Sequence, residues 1–176
     1  WRWMRRRTML EVSAATVVAR RCAMAALDPA AGITPFPPLL RWLIEHDVEH
    51  EVHEHHVTVR AMETARAEGI DPRRFAKTVV LMADGHAALV VVDALDRVDL
   101  AKAAAFLAAD SIRLATEDEL LALAPGCEVG TIPPIGDLFG LHVTADHAIH
   151  DDPEISFHAG SHRFTMHVDR EAWQRA

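Results

Sequence analysis

The 176-residue sequence has few cysteines, few lysines and no long apolar run. Its two cysteines, Cys22 and Cys127, lie 105 positions apart and form no CxxC pair, which excludes a zinc ribbon and a disulfide scaffold. The longest stretch without Asp, Glu, Lys or Arg, residues 29–40, has 12 residues, whereas a membrane helix needs roughly 20. We therefore expect a soluble protein in a reducing, cytoplasmic setting, with no membrane segment.

Positive charge is also scarce, because 18 basic side chains stand against 26 acidic ones and only Lys77 and Lys102 are lysines. Residues 1–23 carry six arginines and one acid, so the sequence from Met24 onward has a net charge of −13. A general nucleic-acid binder needs the opposite sign, since neutralising phosphates supplies most of its affinity. Any contact with RNA is therefore expected to be local and weak.

Common catalytic and cofactor motifs are absent as well. The sequence has no GxSxG elbow, Walker loop, GxGxxG or HExxH. A run of histidines lies between His50 and His56, and His53 and His55 would share one face of a strand. No cysteine lies nearby to complete a tetrahedral set, so a solvated strand end or incidental nickel or zinc binding explains the run better than a catalytic metal. A metal-dependent hydrolase or metal-buffering protein stays open as an alternative.

The domain layout follows from where regular apolar spacing begins. Residues 1–36 are interpreted as an N-terminal extension that is poorly ordered or, before a native start at Met24, not native. No later stretch has the composition of a linker, and no internal repeat is visible. Residues 37–176 are therefore expected to form one domain.

Local patterns predict helices and strands along this domain. Helices are predicted near residues 39–46, 58–67, 99–108, 116–123 and from 169 onward, and strands near residues 48–53, 75–83, 86–92, 111–114, 141–144, 155–158 and 163–168. Asp84-Gly85 predicts a two-residue hairpin, and Thr116 with Glu119 matches a capping box. Thr58 is predicted to cap its helix. The mixture of hairpins and helical crossovers indicates an α+β fold with a mixed sheet.

Lys77 is the most informative single residue, because it lies within a strand that is apolar on both faces. An ammonium there either extends outward from the start of the strand or points into a pocket, where it can meet a carbonyl or phosphate oxygen. Both interpretations stay open from the residues alone.

Two loops also contain candidate binding residues. Residues 127–136 include Gly130, two prolines and Gly136, which indicate a rigid loop that is either a plain turn or a backbone wall for a small ligand. Residues 156–162 include His158 and His162, which are candidates for an acid, a base or a ligand contact, although a surface loop explains them equally well.

Taken in order along the chain, these pieces resemble the YbaK and prolyl-tRNA editing domain family. The two specific pieces are the Ala-Lys-Thr strand at residues 76–78 and the Gly-x-x-x-Pro loop from Gly130 to Pro134. Further matching pieces are residues 98–100, 113–120, 143–146 and 157–161. The resemblance extends over about residues 39–173.

The resemblance implies a compact α+β domain with a mixed, barrel-like sheet flanked by helices, and aminoacyl-tRNA deacylase activity. It makes Lys77 the catalytic residue and assigns substrate binding to Thr78, Gly130, Thr131, Ile132, Pro133, Pro134, His158, Gly160 and Ser161. It implies no metal and no cofactor. The expected partners are the 3′ aminoacyl-adenosine end of a tRNA carrying Ala, Ser or Cys, with the proline tRNA as one carrier, and an aminoacyl-tRNA synthetase. A non-catalytic module of the same fold that binds aminoacyl-tRNA or a synthetase is the alternative.

Overall fold

The computed structural model describes residues 34–150 and 153–175, so the expectations for residues 1–33 and for Met24 lie outside the described residues. The α-helices described are α1 (Pro37–Glu45), α2 (Ala61–Ala67), α3 (Leu100–Leu107), α4 (Glu117–Leu123) and α5 (Arg170–Arg175). The strands described are β1 (His50–Glu54), β2 (Ala76–Ala83), β3 (His86–Asp93), β4 (Ile112–Leu114), β5 (His142–Ala145), β6 (Glu154–His158) and β7 (Phe164–Asp169). Among these residues, no helix has the length and apolar character needed to cross a bilayer.

The strands form two sheets, which confirms the α+β class. One sheet is antiparallel, in the order β1-β7-β6, and the other is mixed, in the order β4-β2-β3-β5, with β5 parallel to β3. A parallel bridge between Phe75 and Ser156 links the two sheets. They do not close into a barrel, because this single bridge does not extend into a ladder and β4 pairs only with Leu81–Ala83 of β2.

The hairpin between β2 and β3 has the predicted two-residue turn. Asp84 and Gly85 have φ angles of 49° and 83°, as a type I′ turn requires. The Asp84 carboxylate also accepts hydrogen bonds from the amides of Ser111, at 2.7 Å, and Asp110, at 3.1 Å. The hairpin turn therefore fixes the chain just before β4.

Helix caps agree with the sequence at α4 but differ at α2. Thr116 and Glu119 form the predicted capping box, and the side-chain hydrogen bond from Arg113 lowers the pKa of Glu119 to about 2. The prediction that Thr58 caps α2 is wrong, because Arg60 is the N-cap residue and Thr58 is buried. Its hydroxyl instead lies 2.7 Å from the Thr64 hydroxyl, so it serves a tertiary contact.

The antiparallel sheet has one apolar face and one polar face. The apolar face packs against α1 in the main core, whose fully buried members include Leu39, Leu43, Ile155, Phe157 and Met166. The opposite face carries hydroxyl and imidazole groups and contacts α2. We call this second face with its helix contacts the polar layer, made of His53, His55, Thr58, Thr64, Glu68, Ser156, His158, Thr165 and His167.

Hydrogen bonds pair the polar layer internally. The Thr64 hydroxyl lies 2.8 Å from His158 Nε2, and Thr165 Oγ1 lies 3.0 Å from His55 Nε2. Thr64 and Thr165 are both fully buried, with 0% of their surface exposed. Because a buried polar group without a partner is costly, the Thr64–His158 bond helps to fix the position of α2 on the sheet.

The first prediction concerns this packing. Thr64→Val keeps the shape of the side chain but leaves His158 Nε2 without its partner, so we expect the free energy of unfolding to fall by about 1 to 3 kcal/mol. Urea denaturation at neutral pH measures the change. Thr144→Val in β5 is the matched control, and an equal decrease in both variants would contradict a specific role for the Thr64 hydroxyl.

Candidate functional site

A cleft of about 470 Å³ opens beside β2, where β4 stops pairing with it. Its walls are the first half of β2, the start of α2, the end of β4 with α4, and the loop that follows α4. Residues from these walls include Arg60, Met62, Lys77, Thr78, Gly130 and Ile132. The structure therefore brings the Ala-Lys-Thr strand and the Gly-x-x-x-Pro loop together at one site, although about 50 residues separate them in sequence.

Lys77 is held by the turn that follows β3. Its ammonium donates a hydrogen bond to the main-chain carbonyl of Asp96. The buried Asp93 carboxylate fixes this turn by accepting from the amides of Leu95, at 2.8 Å, and Asp96, at 2.9 Å. Lys77 is thus anchored by a rigid turn and not left free in solvent.

The electrostatic environment of Lys77 favours reactivity. Burial lowers the pKa of Lys77 below its ordinary value, and the charge of Arg97 acts in the same direction, while Asp93 and Asp96 oppose the shift. A partly desolvated ammonium interacts more strongly with a nearby anion or polarised carbonyl than a fully hydrated one does. Lys77 can therefore stabilise negative charge that develops in the cleft.

Thr78 and the loop contribute unpaired polar groups to the same walls. Thr78 Oγ1 is buried and has no hydrogen-bond partner within the described part of the chain. Gly130 has a φ of 86°, a backbone conformation that is strained for residues with a side chain. The space beside it is open, because an added Cβ atom would meet nothing within 4 Å. The amides of Gly130 and Ile132 donate to no backbone acceptor within the described residues.

Internal hydrogen bonds keep the loop rigid. Thr131 is fully buried, its hydroxyl donates to the Glu128 carbonyl at 2.8 Å, and its own carbonyl accepts from the Gly160 amide at 3.1 Å. The Pro134 carbonyl accepts a hydrogen bond of 2.9 Å from the Trp173 indole. The loop is therefore tied to the segment after β6 and to α5, and its cleft side is pre-organised.

Several predicted binding residues lie behind the cleft walls. Pro133 is buried, and Pro134 borders a separate pocket of about 390 Å³ beside Trp42. Gly160 packs so closely that an added Cβ would lie 2.5 Å from Phe36 Cβ, and Ser161 Oγ accepts from the Arg163 amide. These residues, with Thr131, support the loop from behind, and their assignment to substrate binding stays a prediction.

His158 is buried in the polar layer and does not line the cleft. Its ring packs edge-on against Phe75, with centroids 5.1 Å apart, and against His162, at 5.7 Å. Burial, aided by the neighbouring His162 and His55, lowers the pKa of His158 to about 4. The ring is therefore neutral at pH 7, and the contact it makes here is with α2 through Thr64.

The Asp93–Asp96 turn was not identified from the sequence. The available signal was the Asp-x-x-Asp spacing at the end of the second hairpin strand, opposite the start of β2. In the observed register Ala76 faces Asp93, so the turn falls beside Lys77. The predicted hairpin already implied that Asp93 and the turn after it lie beside the start of β2, where Lys77 is located.

Comparison with known proteins identifies the family of the chain. Residues 53–176 match the family model described as the aminoacyl-tRNA editing domain. Because the match covers more than half of the sequence, the chain belongs to the aminoacyl-tRNA editing domain family. Within that family it is related to the editing domains of prolyl-tRNA synthetases, as the relatives below indicate.

Two curated relatives are proline–tRNA ligases. The chain is 36% identical over 92 residues to the ligase of Halalkalibacterium halodurans, covering 52% of this chain and 16% of the ligase. It is 28% identical over 113 residues to the ligase of Acidithiobacillus ferrooxidans, covering 64% of this chain and 19% of the ligase. The chain therefore spans less than a fifth of the length of these relatives.

A solved structure described as a candidate trans-editing enzyme for prolyl tRNA synthetase is also similar. It aligns with a TM-score of 0.69 and 25% sequence identity, and the alignment covers 85% of this chain and 94% of that one. The fold is thus shared over nearly the whole of a protein of similar size.

The second prediction concerns His158 and pH. The pKa of His158 is about 4 in the folded state against an ordinary 6.5, so the unfolded chain binds more protons in this interval and stability falls as pH falls. Between about pH 7.5 and about pH 5, the stability of the wild type should fall by about 2 kcal/mol more than that of His158→Gln.

Urea denaturation at the two pH values measures this difference. His86→Gln, at an exposed position in the hairpin, is the control and should keep the wild-type pH dependence. Parallel decreases in the wild type and in His158→Gln would show that His158 is not the buried neutral group responsible.

Proposed function

We propose that this chain is an aminoacyl-tRNA deacylase that acts in trans on mischarged tRNA. The observation that carries the proposal is the meeting of Lys77 with the Gly130 loop across one cleft. The fold is shared with a protein described as a candidate trans-editing enzyme, which supports action as a separate protein. The proposed reaction is hydrolysis of the ester between the amino acid and the terminal ribose.

The proposed mechanism needs no protein nucleophile. An aminoacyl ester is already activated, so the site must orient a water molecule and stabilise the oxyanion that forms when the water oxygen attacks the ester carbonyl carbon. Lys77 supplies positive charge, and the amides of Gly130 and Ile132 supply hydrogen-bond donors. Cys127 is an unsuitable nucleophile, because burial raises the pKa of its thiol to about 12.

The proton balance uses the substrate itself. Attack by water releases a proton, and cleavage of the bond between the carbonyl carbon and the ribose oxygen requires one at the leaving oxygen. The free neighbouring ribose hydroxyl of the substrate is proposed to relay this proton. The products are the free amino acid and the uncharged tRNA, and no metal or cofactor takes part.

The walls of the cleft suggest the class of amino acid. Met62, Leu120 and Ile132 give the cleft apolar surface, while Thr78 Oγ1 is buried in the wall without a hydrogen-bond partner in the described chain. Such a site suits a small side chain that is apolar or weakly polar, and Ala, Ser and Cys fit this description. The tRNA is proposed to be the proline tRNA, because the curated relatives are proline–tRNA ligases.

The remaining proposals concern the partner and the domain limits. The exposed Arg60 at the cleft and Arg66 on α2 are proposed to contact tRNA phosphates, and a synthetase is proposed to help deliver the tRNA to this acidic protein. The editing domain is proposed to comprise residues 37–176, preceded by the extension 1–36, and to act in the cytoplasm. Phe36 packs into the core and its amide donates to the Ala159 carbonyl, so the packed structure begins just before this proposed boundary.

The third prediction tests catalysis by Lys77. Release of labelled amino acid from proline tRNA charged with Ala, Ser or Cys measures the activity. Lys77→Ala should reduce kcat/KM by about 100-fold or more, because it removes the charge next to the developing oxyanion. Added EDTA should leave the wild-type rate unchanged when it is measured well below the melting temperature.

Lys102→Ala is the matched control, since Lys102 is the other lysine of the chain and is exposed on α3. It should retain wild-type activity. Wild-type protein that binds the charged tRNA without turnover would instead identify a binding module. Activity that disappears only with EDTA would indicate a metal-dependent hydrolase.

The fourth prediction tests the phosphate contact. Arg60→Ala should raise KM with little change in kcat, because Arg60 positions the tRNA and does not touch the reacting ester. The slope of log(1/KM) against log salt should become shallower by about 0.7 for each phosphate that Arg60 neutralises in the wild type. Arg175→Ala, an exposed arginine in α5, should leave the slope unchanged.

A further inference from the structure

The polar layer ends in a cluster of two imidazoles and a carboxylate. His53, Glu68 and His167 each offer one ligand atom, and these atoms lie within 4.8 Å of one another. His53 Nδ1 lies 2.9 Å from Glu68 Oε2, and the rings of His53 and His167 have centroids 4.2 Å apart. Three different elements, β1, the C-terminal cap of α2 and β7, therefore converge on one point.

The surroundings of His167 indicate what this point is suited to hold. His167 Nδ1 is hydrogen-bonded to the Ser156 hydroxyl at 2.9 Å, while its Nε2 is buried and has no partner among the residues that the structure describes. A histidine that binds a metal typically has its second ring nitrogen fixed by such a bond, which fixes the tautomer and the direction of the ring. The unpaired Nε2 is therefore positioned as a ligand atom.

We propose that His53, Glu68 and His167 form a binding site for a divalent transition metal of the zinc class. Two imidazoles and one carboxylate are ligands that zinc commonly takes, and three protein ligands leave a fourth position for water. Imidazole nitrogen disfavours calcium and magnesium, which prefer oxygen ligands.

The site is structural, because it lies apart from the cleft but on the same helix. Glu68 is the C-cap residue of α2, and Arg60 and Met62 at the other end line the cleft. A bound ion ties both sheet strands to this helix end and so reinforces the Thr64–His158 contact between helix and sheet. Metal binding is thus expected to raise stability without taking part in ester hydrolysis.

The experiment titrates the full chain, first freed of metal with EDTA and then dialysed, with Zn²⁺ in competition with a chromophoric chelator. We expect one equivalent of Zn²⁺ to bind, and Co²⁺ to give the visible absorption of a four- or five-coordinate site. Glu68→Gln keeps the hydrogen bond to His53 but removes the charge, and His53→Gln removes an exposed ligand. Each should weaken binding by about tenfold or more.

Thermal unfolding gives a second measurement. Zn²⁺ at a hundredfold excess over Kd should raise the Tm of the wild type by roughly 5 to 10 °C and should raise it less in the two variants. His86→Gln should behave as the wild type in both measurements. Binding that is unchanged in Glu68→Gln and His53→Gln, or no binding at micromolar Zn²⁺, would overturn the proposal and assign any uptake to the other histidines.

Discussion

The hydrogen bond between the Thr64 hydroxyl and His158 Nε2 is the contact on which the site geometry depends. It joins α2 to β6 across the polar face of the sheet, beside the apolar contacts that buried Ala65 of the same helix makes with Phe75 and Ala94. The start of α2 forms one wall of the cleft, so this bond helps to set the position of that wall. Burial lowers the pKa of His158 to about 4, so the ring is neutral at pH 7 in its buried position. Stability and site geometry are therefore coupled through a residue that does not line the cleft.

The net negative charge of the chain makes the position of Lys77 in β2 more important for binding a tRNA. An excess of negative charge repels most RNA, so affinity has to come from a few groups around the cleft. The Asp93–Asp96 turn orients Lys77 through a main-chain carbonyl, and the nearby carboxylates only partly offset the effect of desolvation on its pKa, which suits the catalytic role proposed for it. An arginine would bring a wider, planar head group that does not lose its proton. Weak binding of RNA in general, combined with the positive charge of Lys77 at the cleft, suits the proposed recognition of the aminoacyl end of a tRNA.

The sequence allowed most elements to be predicted, because their signals are local. The Asp84-Gly85 turn and the Thr116–Glu119 capping box depend on residues within four positions, and both occur as expected. The division into two sheets was not predictable in this way, since it depends on β2 and β6 meeting only at the bridge between Phe75 and Ser156. Thr58 was misassigned for the same reason, because its hydroxyl had a local and a tertiary partner available. Lys77 and Gly130 were singled out by motif, but only the fold shows that they share a cleft.

The histidines show most clearly where sequence reasoning stops. His53 was considered together with His55, its neighbour on the same strand face, and that pair lacks further ligands. The structure instead pairs β1 with β7, which brings His53 beside His167, and α2 then brings Glu68 to the same point. The proposed metal would reinforce the helix position that the Thr64–His158 bond helps to define, and the proposed hydrolysis in the cleft would use Lys77 and backbone amides. Metal-free chemistry and a metal-stabilised fold are therefore compatible in one small domain, because α2 separates the two sites by its own length.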